Sequence, residues 1–184
     1  MDHSLQLPTP DYEAADVLVV REPQRQRALA HELRAKIVAL LRERARSISE
    51  LAQELGLPKG TVGHHVKVLE DAELIHVVRT RKIRAVTEKF YGRTARLFVI
   101  KGEEDPALSS SLAAISLRQA AGEIAQAWDD DERTQSLLHV RLTKEDARRF
   151  RRRLNKLVDD FRVRETCGGT MYALATALYK VRDD

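Results

Sequence analysis

The spacing of apolar and polar positions changes along the chain, and each change predicts an element. From Pro23 to about Arg46 the apolar positions recur every three or four residues, which is typical of an amphipathic helix. We predict one helix here, with an inner stripe that belongs to a core. The positions of this stripe are Leu29, Leu33, Ile37, Leu40 and Leu41.

Two shorter helices are predicted next, joined by a tight turn. Ser47 and, three residues later, Glu50 form a capping box that starts a helix at about Ile48. Gly56 suits the end of that helix, where a positive φ is usually needed. Pro58 fits the first turn of a second helix, over about residues 58–71. The inward positions of this second helix are Val62, Val66 and Leu69.

The opposite face of the second helix is polar and rich in hydrogen-bond donors. A short helix that is buried on one side and lined with donors on the other is what the major groove of DNA requires of a recognition helix. A helical hairpin with a solvated polar face has the same pattern, so this stretch alone leaves both interpretations open. The candidate DNA-binding residues on this face are Lys59, Gly60, Thr61, His64, His65 and Lys67.

The chain then carries a predicted β-hairpin with a basic tip. Leu74–Val78 and Ala85–Tyr91 are strand-like runs rich in β-branched and aromatic residues. Residues 79–96 hold seven Lys and Arg against one Glu, a net charge of +6. A positive hairpin beside a recognition helix is typical of the wing of a winged helix-turn-helix, here about residues 75–91, which neutralises phosphates. The candidate contacts to the DNA backbone or minor groove are Arg81, Lys82 and Arg84.

The run from His31 to Phe98 resembles the winged-helix domain of ArsR-type bacterial transcriptional regulators. This resemblance implies a homodimer that binds operator DNA, often as a repressor released by a ligand. Ala85 departs from the pattern, because close relatives tend to have Gly in the wing turn. The matching runs are HELRAKIVALL from His31, GTVGHHVKVLEDAELI from Gly60 and RTRKIRAVTEKFYGRTAR from Arg79.

The segment Lys101–Pro106 has the charge, glycine and proline of a linker, and we place a domain boundary there. We expect residues 1–23 to be a mobile N-terminal segment in which 17–20 either form a short strand or pack on the domain. Residues 24–100 are then the winged helix-turn-helix DNA-binding domain. Residues 104–184 form a C-terminal dimerisation or effector domain.

The C-terminal half begins with a predicted helix, Ala107–Trp128, that contains many small residues. A wide apolar face with small side chains allows the close approach of another helix. That helix could belong to the same chain or to a partner in a dimer. One stripe of this face consists of Leu108, Leu112 and Ile115.

A second, strongly amphipathic helix is predicted after Thr143, which with Asp146 forms its cap. Its apolar stripe over 147–161, together with the face of 107–128, is our candidate for the surface that joins two copies. Six bases lie on its outer face between residues 148 and 156. A solvated helix face explains these bases most simply, and a second DNA contact or an effector-anion site are the alternatives.

Two strands are predicted on either side of this helix. Leu138, Val140 and Leu142 alternate with polar neighbours. The period of Met171–Val181 fits a strand or a helix, and its Thr, Tyr and Val residues after a Gly-Gly turn favour a strand that pairs with 136–142. The predicted fold class is therefore mostly α with small β. A winged helix-turn-helix domain is followed by a small α+β domain in the order helix–strand–helix–strand.

Composition agrees with a two-domain globular protein and locates its charge. The 184 residues suffice for two small domains, with 43% hydrophobic and 33% charged residues. The net charge of +4 is small, but residues 1–102 hold 18 bases and 13 acids, whereas residues 103–184 hold 14 and 15. The positive excess thus belongs to the winged-helix half.

Several other classes of function lack their sequence signals. There is no signal-peptide pattern and no apolar run long enough for a membrane helix. A single cysteine, Cys167, rules out a disulfide framework and suits the cytoplasm. No C-x-x-C or H-x-x-x-H spacing predicts a metal site, and no nucleotide-binding or nucleophile motif predicts an enzyme or a cofactor.

We therefore expect a sequence-specific, DNA-binding transcriptional regulator, a cytoplasmic homodimer that represses at an inverted-repeat operator. Its partner is double-stranded DNA, and a small-molecule effector is compatible with the second domain. The alternative is a winged helix used as a protein-interaction module without specific DNA binding. Such modules usually lose the basic wing and the donor-lined helix face, and this chain keeps both.

Overall fold

The computed structural model describes residues 10–83, 86–100, 105–126, 136–164 and 172–181. Its elements follow one another in this order: β1 Ala15–Val20, α1 Pro23–Leu29, α2 Glu32–Leu40, β2 Arg46–Ser47, α3 Ile48–Leu55, α4 Lys59–Asp71, β3 Ile75–Ile83, β4 Val86–Arg93, β5 Ala95–Ile100, α5 Pro106–Gln126 and α6 Lys144–Arg162. The expected class, mostly helical with small sheets and a winged helix-turn-helix, is confirmed. The chain divides within α5 into two compact units, Leu5–Ile115 and a second that includes Ser116–Asp184.

The single helix predicted from Pro23 to Arg46 is two helices, α1 and α2, with a break at Ala30 and His31. The Nδ1 atom of His31 accepts a hydrogen bond from the backbone N–H of Leu33 at 3.2 Å and so caps α2. The guanidinium of Arg34 donates to the carbonyls of Arg27 and Ala28 at the end of α1. Both helix ends thus have side-chain partners, which makes the break stable without a glycine or proline.

The helix–turn–helix forms as the sequence predicts. Both halves of the capping box are present, because the backbone N–H of Ser47 donates to Glu50 at 2.7 Å and that of Glu50 donates to the Ser47 hydroxyl at 3.3 Å. Gly56 ends α3 in the left-handed region, with φ 64°. Pro58 is the N-cap of α4 and precedes its first turn by one residue.

One face of α4 lies in the core of the first unit. Val62, Val66 and Leu69 have 0–1% exposure, as predicted from their spacing. They belong to a cluster with residues from all four N-terminal helices, β1, β3 and β4. Leu108 and Leu112 of α5 join the same cluster, so this stripe packs within its own chain.

The wing is longer than predicted, and its register shifts between Val77 and Arg79. Strands β3 and β4 pair antiparallel, with Arg81 opposite Glu88, and the short β2 pairs with the other edge of β4. The expected loop 79–83 is therefore part of β3, because Arg79 and the residues after it have partners in β4. The expected tip residues Arg84 and Ala85 lie outside the described residues.

A second sheet consists of β1 and β5, which pair in parallel from Ala15 opposite Ala95 to Val20 opposite Ile100. The expectation for 17–20 left a strand open, and the strand is present within the segment 1–23. Parallel strands need a long connection, and here that connection contains the whole helix–turn–helix and wing.

Two residues before β1 connect the end of α2 with the wing. The Tyr12 hydroxyl donates to the carbonyl of Leu41 and accepts from the backbone N–H of Arg93 at 3.0 Å. The Asp11 carboxylate accepts from the backbone N–H of Ala45 at 2.6 Å and pairs with Arg79 at 3.0 Å. These contacts hold β3 and β4 against the helices.

In the second unit α6 begins as predicted, since the Thr143 hydroxyl accepts from the backbone N–H of Asp146 at 3.1 Å. The strands expected at 136–142 and 171–181 are absent from the described residues, where 136–143 and 172–181 have no regular secondary structure. Alternation of apolar residues shows which side of a strand would be buried, but it does not supply a hydrogen-bonded partner. In the parts of the chain that the structure describes, no helix could cross a membrane.

The position of Gly92 in β4 yields a test of this packing. A Cβ there would lie 2.7 Å from the Tyr12 ring and 2.8 Å from a methyl group of Val78. Because Tyr12 is held by two hydrogen bonds, we expect Gly92→Ala to lower the free energy of unfolding by about 1–3 kcal/mol, measured by urea denaturation. The control is Gly60→Ala, where nothing lies within 4 Å of the added carbon. Equal stability of Gly92→Ala and the parent would contradict the close packing of Tyr12.

Candidate nucleic-acid interface

The face of α4 opposite the core is exposed and polar. Thr61 and His64, three residues apart, point to solvent together with Lys59, Gly60 and Lys67. Lys67 pairs with Asp71 at 3.4 Å, and both side chains are mostly exposed, so this ion pair is weak. Burial of the inner face therefore sets which side chains α4 presents.

The N-terminus of α4 adds backbone donors to this face. Its N-cap is Pro58, which makes no side-chain capping hydrogen bond. The first N–H groups of a helix have no partner within the helix, and the helix dipole adds partial positive charge there. Together with Lys59, this end of α4 suits a phosphate of the DNA backbone.

The two adjacent histidines of α4 differ in environment. His64 is exposed, whereas His65 is half-buried with its ring centroid 4.6 Å from that of His31. Of the two candidate DNA-binding histidines, only His64 is exposed. The Nδ1 atom of His65 is buried and has no hydrogen-bond partner.

Burial lowers the pKa of His65, and the nearby His31, Arg34 and His64 lower it further. The pKa of His31 is lowered by burial and by Arg34, while Glu32 opposes the shift. The lowered pKa of each ring disfavours its protonated form. The two rings pack against each other where the start of α2 meets α4.

The two faces of the wing carry different cations. The guanidinium carbons of Arg79 and Arg81 lie 5.0 and 5.3 Å from the ring centroid of the buried Phe90. Arg79 is opposite Phe90 and Arg81 is opposite Glu88, so these residues share one side of the hairpin. Lys82 and Lys89 alternate with them, are exposed, and occupy the other side.

Glu88 lies in strand β4 of the wing, near Lys59 at the start of α4. Its carboxylate accepts a hydrogen bond from Arg81 at 2.8 Å. This bond is the main cause of the lowered pKa of Glu88, followed by a hydrogen bond with Ser47 and, more weakly, the charge of Lys59. Glu88 therefore orients a wing cation beside the N-terminus of α4.

The predicted residues of α4 and the described ones of the wing lie in the same compact unit, but they differ in how exposed they are. His65 is half-buried against His31, and Arg84 lies outside the described residues. Lys89 is an exposed wing cation that contributes to the predicted charge of the wing but is not among its predicted DNA contacts. Pairing of Lys89 with Thr80 across the hairpin places it beside Lys82, and only the strand register could show this.

The described residues offer no candidate metal site. Within them, no group of three or more His, Cys, Asp or Glu side chains could hold a metal ion. Cys167 lies outside the described residues.

Comparison with known families identifies the motif. Residues 29–78 match the family model described as a helix-turn-helix domain. The match begins at the end of α1 and ends within β3, so it covers α2, α3 and α4. This segment is a helix-turn-helix domain, and the wing that follows completes the expected resemblance to ArsR-type winged helix-turn-helix regulators. No curated protein sequence matches the chain.

Several solved structures are similar to part of the chain. A homodimeric winged helix-turn-helix DNA-binding domain from Mycobacterium bovis, a possible ArsR-family transcriptional regulator, is 16% identical with a TM-score of 0.34, covering 56% of this chain and 79% of that one. The transcriptional repressor BigR from Xylella fastidiosa is 25% identical, with a TM-score of 0.33, covering 53% and 82%. HlyU from Vibrio cholerae is 23% identical, with a TM-score of 0.33, covering 52% and 81%. At TM-scores this low, the likenesses establish neither a shared function nor a shared assembly.

The lowered pKa values of His31 and His65 predict how stability depends on pH. A histidine whose folded pKa lies below its unfolded value binds fewer protons in the folded state, so the free energy of unfolding falls as the pH drops through about 6.5. We expect chemical denaturation between pH 7.5 and 5 to show this loss, and we expect His65→Gln to reduce it. The control His139→Gln, at an exposed position, should keep the parent's pH dependence. Identical pH dependence in the parent and His65→Gln would show that the ring pair does not resist protonation.

Proposed function

We propose that this protein is a sequence-specific, DNA-binding transcriptional regulator that acts as a dimeric repressor at an inverted-repeat operator. The observation that carries the proposal is the exposed, donor-lined face of α4 beside a basic wing on one compact unit. A protein-interaction module would not need cations on both faces of the wing, so we favour DNA over that alternative.

The roles of the side chains follow from where they lie. Thr61 and His64, at the centre of the exposed face of α4, would contact base edges in the major groove. Lys59 and the free N–H groups at the start of α4 would hold a backbone phosphate. The wing cations Arg81, Lys82, Lys89 and Arg84 would contact the adjacent backbone or minor groove.

Repression would follow from occupancy of the operator without chemistry. One winged helix makes few contacts, and joining two copies makes the second half-site contact effectively intramolecular, which raises avidity by roughly 10²–10⁴. We propose that residues 24–100 bind DNA and that residues 104–184 supply the dimer contact, an effector site, or both. Half-site centres should then lie about one helical turn, or a multiple of it, apart.

The wing should govern affinity without governing the choice of sequence, because phosphate contacts carry no base information. We expect the double variant Arg81→Ala, Lys82→Ala to weaken binding to specific and scrambled duplexes alike. The slope of log K against log salt should fall by about 0.9 for each phosphate that is no longer neutralised. Fluorescence anisotropy over a salt series measures both quantities.

The matched control for this experiment is Thr87→Ala, which lies opposite Lys82 in the same hairpin and carries no charge. It should leave the salt slope unchanged. A double variant that folds and keeps the parent's slope would remove the wing from the proposed interface.

The exposed face of α4 should instead govern sequence choice. On DNA taken from upstream of its own gene, Thr61→Ala or His64→Ala should cost about 1–3 kcal/mol of specific binding. Binding to a scrambled duplex should change little, since these side chains make no base-specific hydrogen bonds there. If the parent protein does not distinguish the two duplexes at either of two salt concentrations, the proposed function fails. Equally weakened binding to both duplexes would contradict the base contacts alone.

A further inference from the structure

Helix α6 has an apolar stripe that the rest of its chain leaves exposed. Phe150 and Phe161 are 46% and 44% exposed, and Leu157 is 52% exposed. An isolated helix of this length is marginal in water, because most helical stability in proteins comes from packing of the apolar face. The stripe therefore needs a cover that the described residues of the chain do not supply.

The spacing of the stripe suits another helix as that cover. Its positions are separated by three, four, three and four residues, which matches two heptads of the seam of a two-stranded coiled coil. Helices that pack on a globular core have the same spacing, so the choice of partner rests on the charges beside the stripe. The positions are Ala147, Phe150, Leu154, Leu157 and Phe161.

We propose that α6 of a second copy of this chain covers the stripe, running antiparallel about a two-fold axis beside Asn155 and Lys156. In this arrangement Phe150 faces the second copy's Phe161, and Leu154 faces its Leu157. The two-fold axis makes each of these contacts occur twice, as a contact between identical surfaces requires. All four large residues of the seam then have apolar partners.

Charge complementarity favours the antiparallel direction. The cations are concentrated in Arg148–Arg153, and an antiparallel partner places the segment Val158–Val163 opposite them. That segment contains two acids, Asp159 and Asp160, and one base, Arg162. A parallel partner in register would place the six-base face beside itself, and like charges at such positions oppose association.

The edge of the seam carries the specific pair. Arg153 lies along the stripe, with its guanidinium carbon 5.9 Å from the Phe150 ring centroid. Asp160 is exposed about two helical turns further on, on the same edge. In the antiparallel arrangement Arg153 of each copy faces Asp160 of the other, so the ion pair forms twice. In a parallel arrangement Arg153 would instead face Val158.

The neighbouring segment offers further surface to the same partner. Leu137, Leu138 and Val140 are 70–80% exposed in 136–143, which leads directly into α6. Monomeric proteins rarely leave large apolar areas uncovered. The stripe of α5 is a weaker candidate for this role, because Leu108, Leu112 and Ile115 are already buried.

The pairing of α6 rests on the proposed function in one respect. The proposed function supplies the purpose of the pairing, which is to join two recognition helices.

The test is the oligomeric state of the full chain without DNA, measured by sedimentation over a concentration series. The parent should be a dimer. Arg153→Glu and Asp160→Arg should each raise the dimer dissociation constant at least about tenfold, because each creates two like-charge contacts. The double variant Arg153→Glu, Asp160→Arg reverses both charges and should restore dimerisation.

The matched control is Arg152→Glu, which makes the same charge change on the outward side of α6 and should leave the dimer intact. Leu157→Asp should yield monomers with a folded winged helix, checked by thermal unfolding. A monomeric parent, a dimer unaffected by Leu157→Asp, or a double variant that fails to recover would each overturn the antiparallel pairing.

Measurements with DNA separate this inference from the proposed function. A charge-dependent dimer that does not distinguish operator from scrambled DNA would keep the α6 pairing and remove the repressor. A parent that binds its operator specifically while α6 variants remain dimeric would keep the regulator and remove the pairing.

Discussion

Burial of one face of α4 is the constraint on which the rest of the first unit depends. Val62, Val66 and Leu69 are fully buried, and each such side chain contributes roughly 1.5–3 kcal/mol when it leaves water. Rotation of α4 about its axis would expose these residues, so the opposite face is held outward. The same interaction that stabilises the fold thus determines that Thr61 and His64 face solvent.

A few polar contacts hold the wing against the helices, and a shift of the strand register would break them. Glu88 lies between Arg81, Ser47 and Lys59, and Ser47 also caps α3. Tyr12 connects the end of α2 with β4 at the position where Gly92 leaves room for its ring. The helix start, the wing cation and the N-terminal segment are therefore placed by one connected set of contacts.

Local signals were sufficient for most of this unit, and long-range contacts explain what they missed. The capping box at Ser47 and the turn at Gly56 depend on residues close in sequence, so the pattern predicted them. The break at His31 depends on Arg34 reaching back to carbonyls of α1, and β1 pairs with β5, a strand that follows the whole wing in the chain. The two-sided arrangement of wing cations needed the strand register. For 136–142 and 171–181, alternation was present but no partner strand is found among the described residues.

The two units differ in how much of their apolar surface a single chain can cover. In the first unit the apolar positions of α1 to α4 find partners in one cluster, and what remains exposed on α4 and the wing is polar or basic. In the second, α6 keeps an exposed apolar stripe beside a basic face, although such a helix gains its stability from packing. A surface that exposes donors and cations suits a hydrated, anionic partner such as DNA, whereas an apolar heptad seam suits another helix. The first surface is complete in one chain, whereas the stripe of α6 has no apolar cover among the described residues.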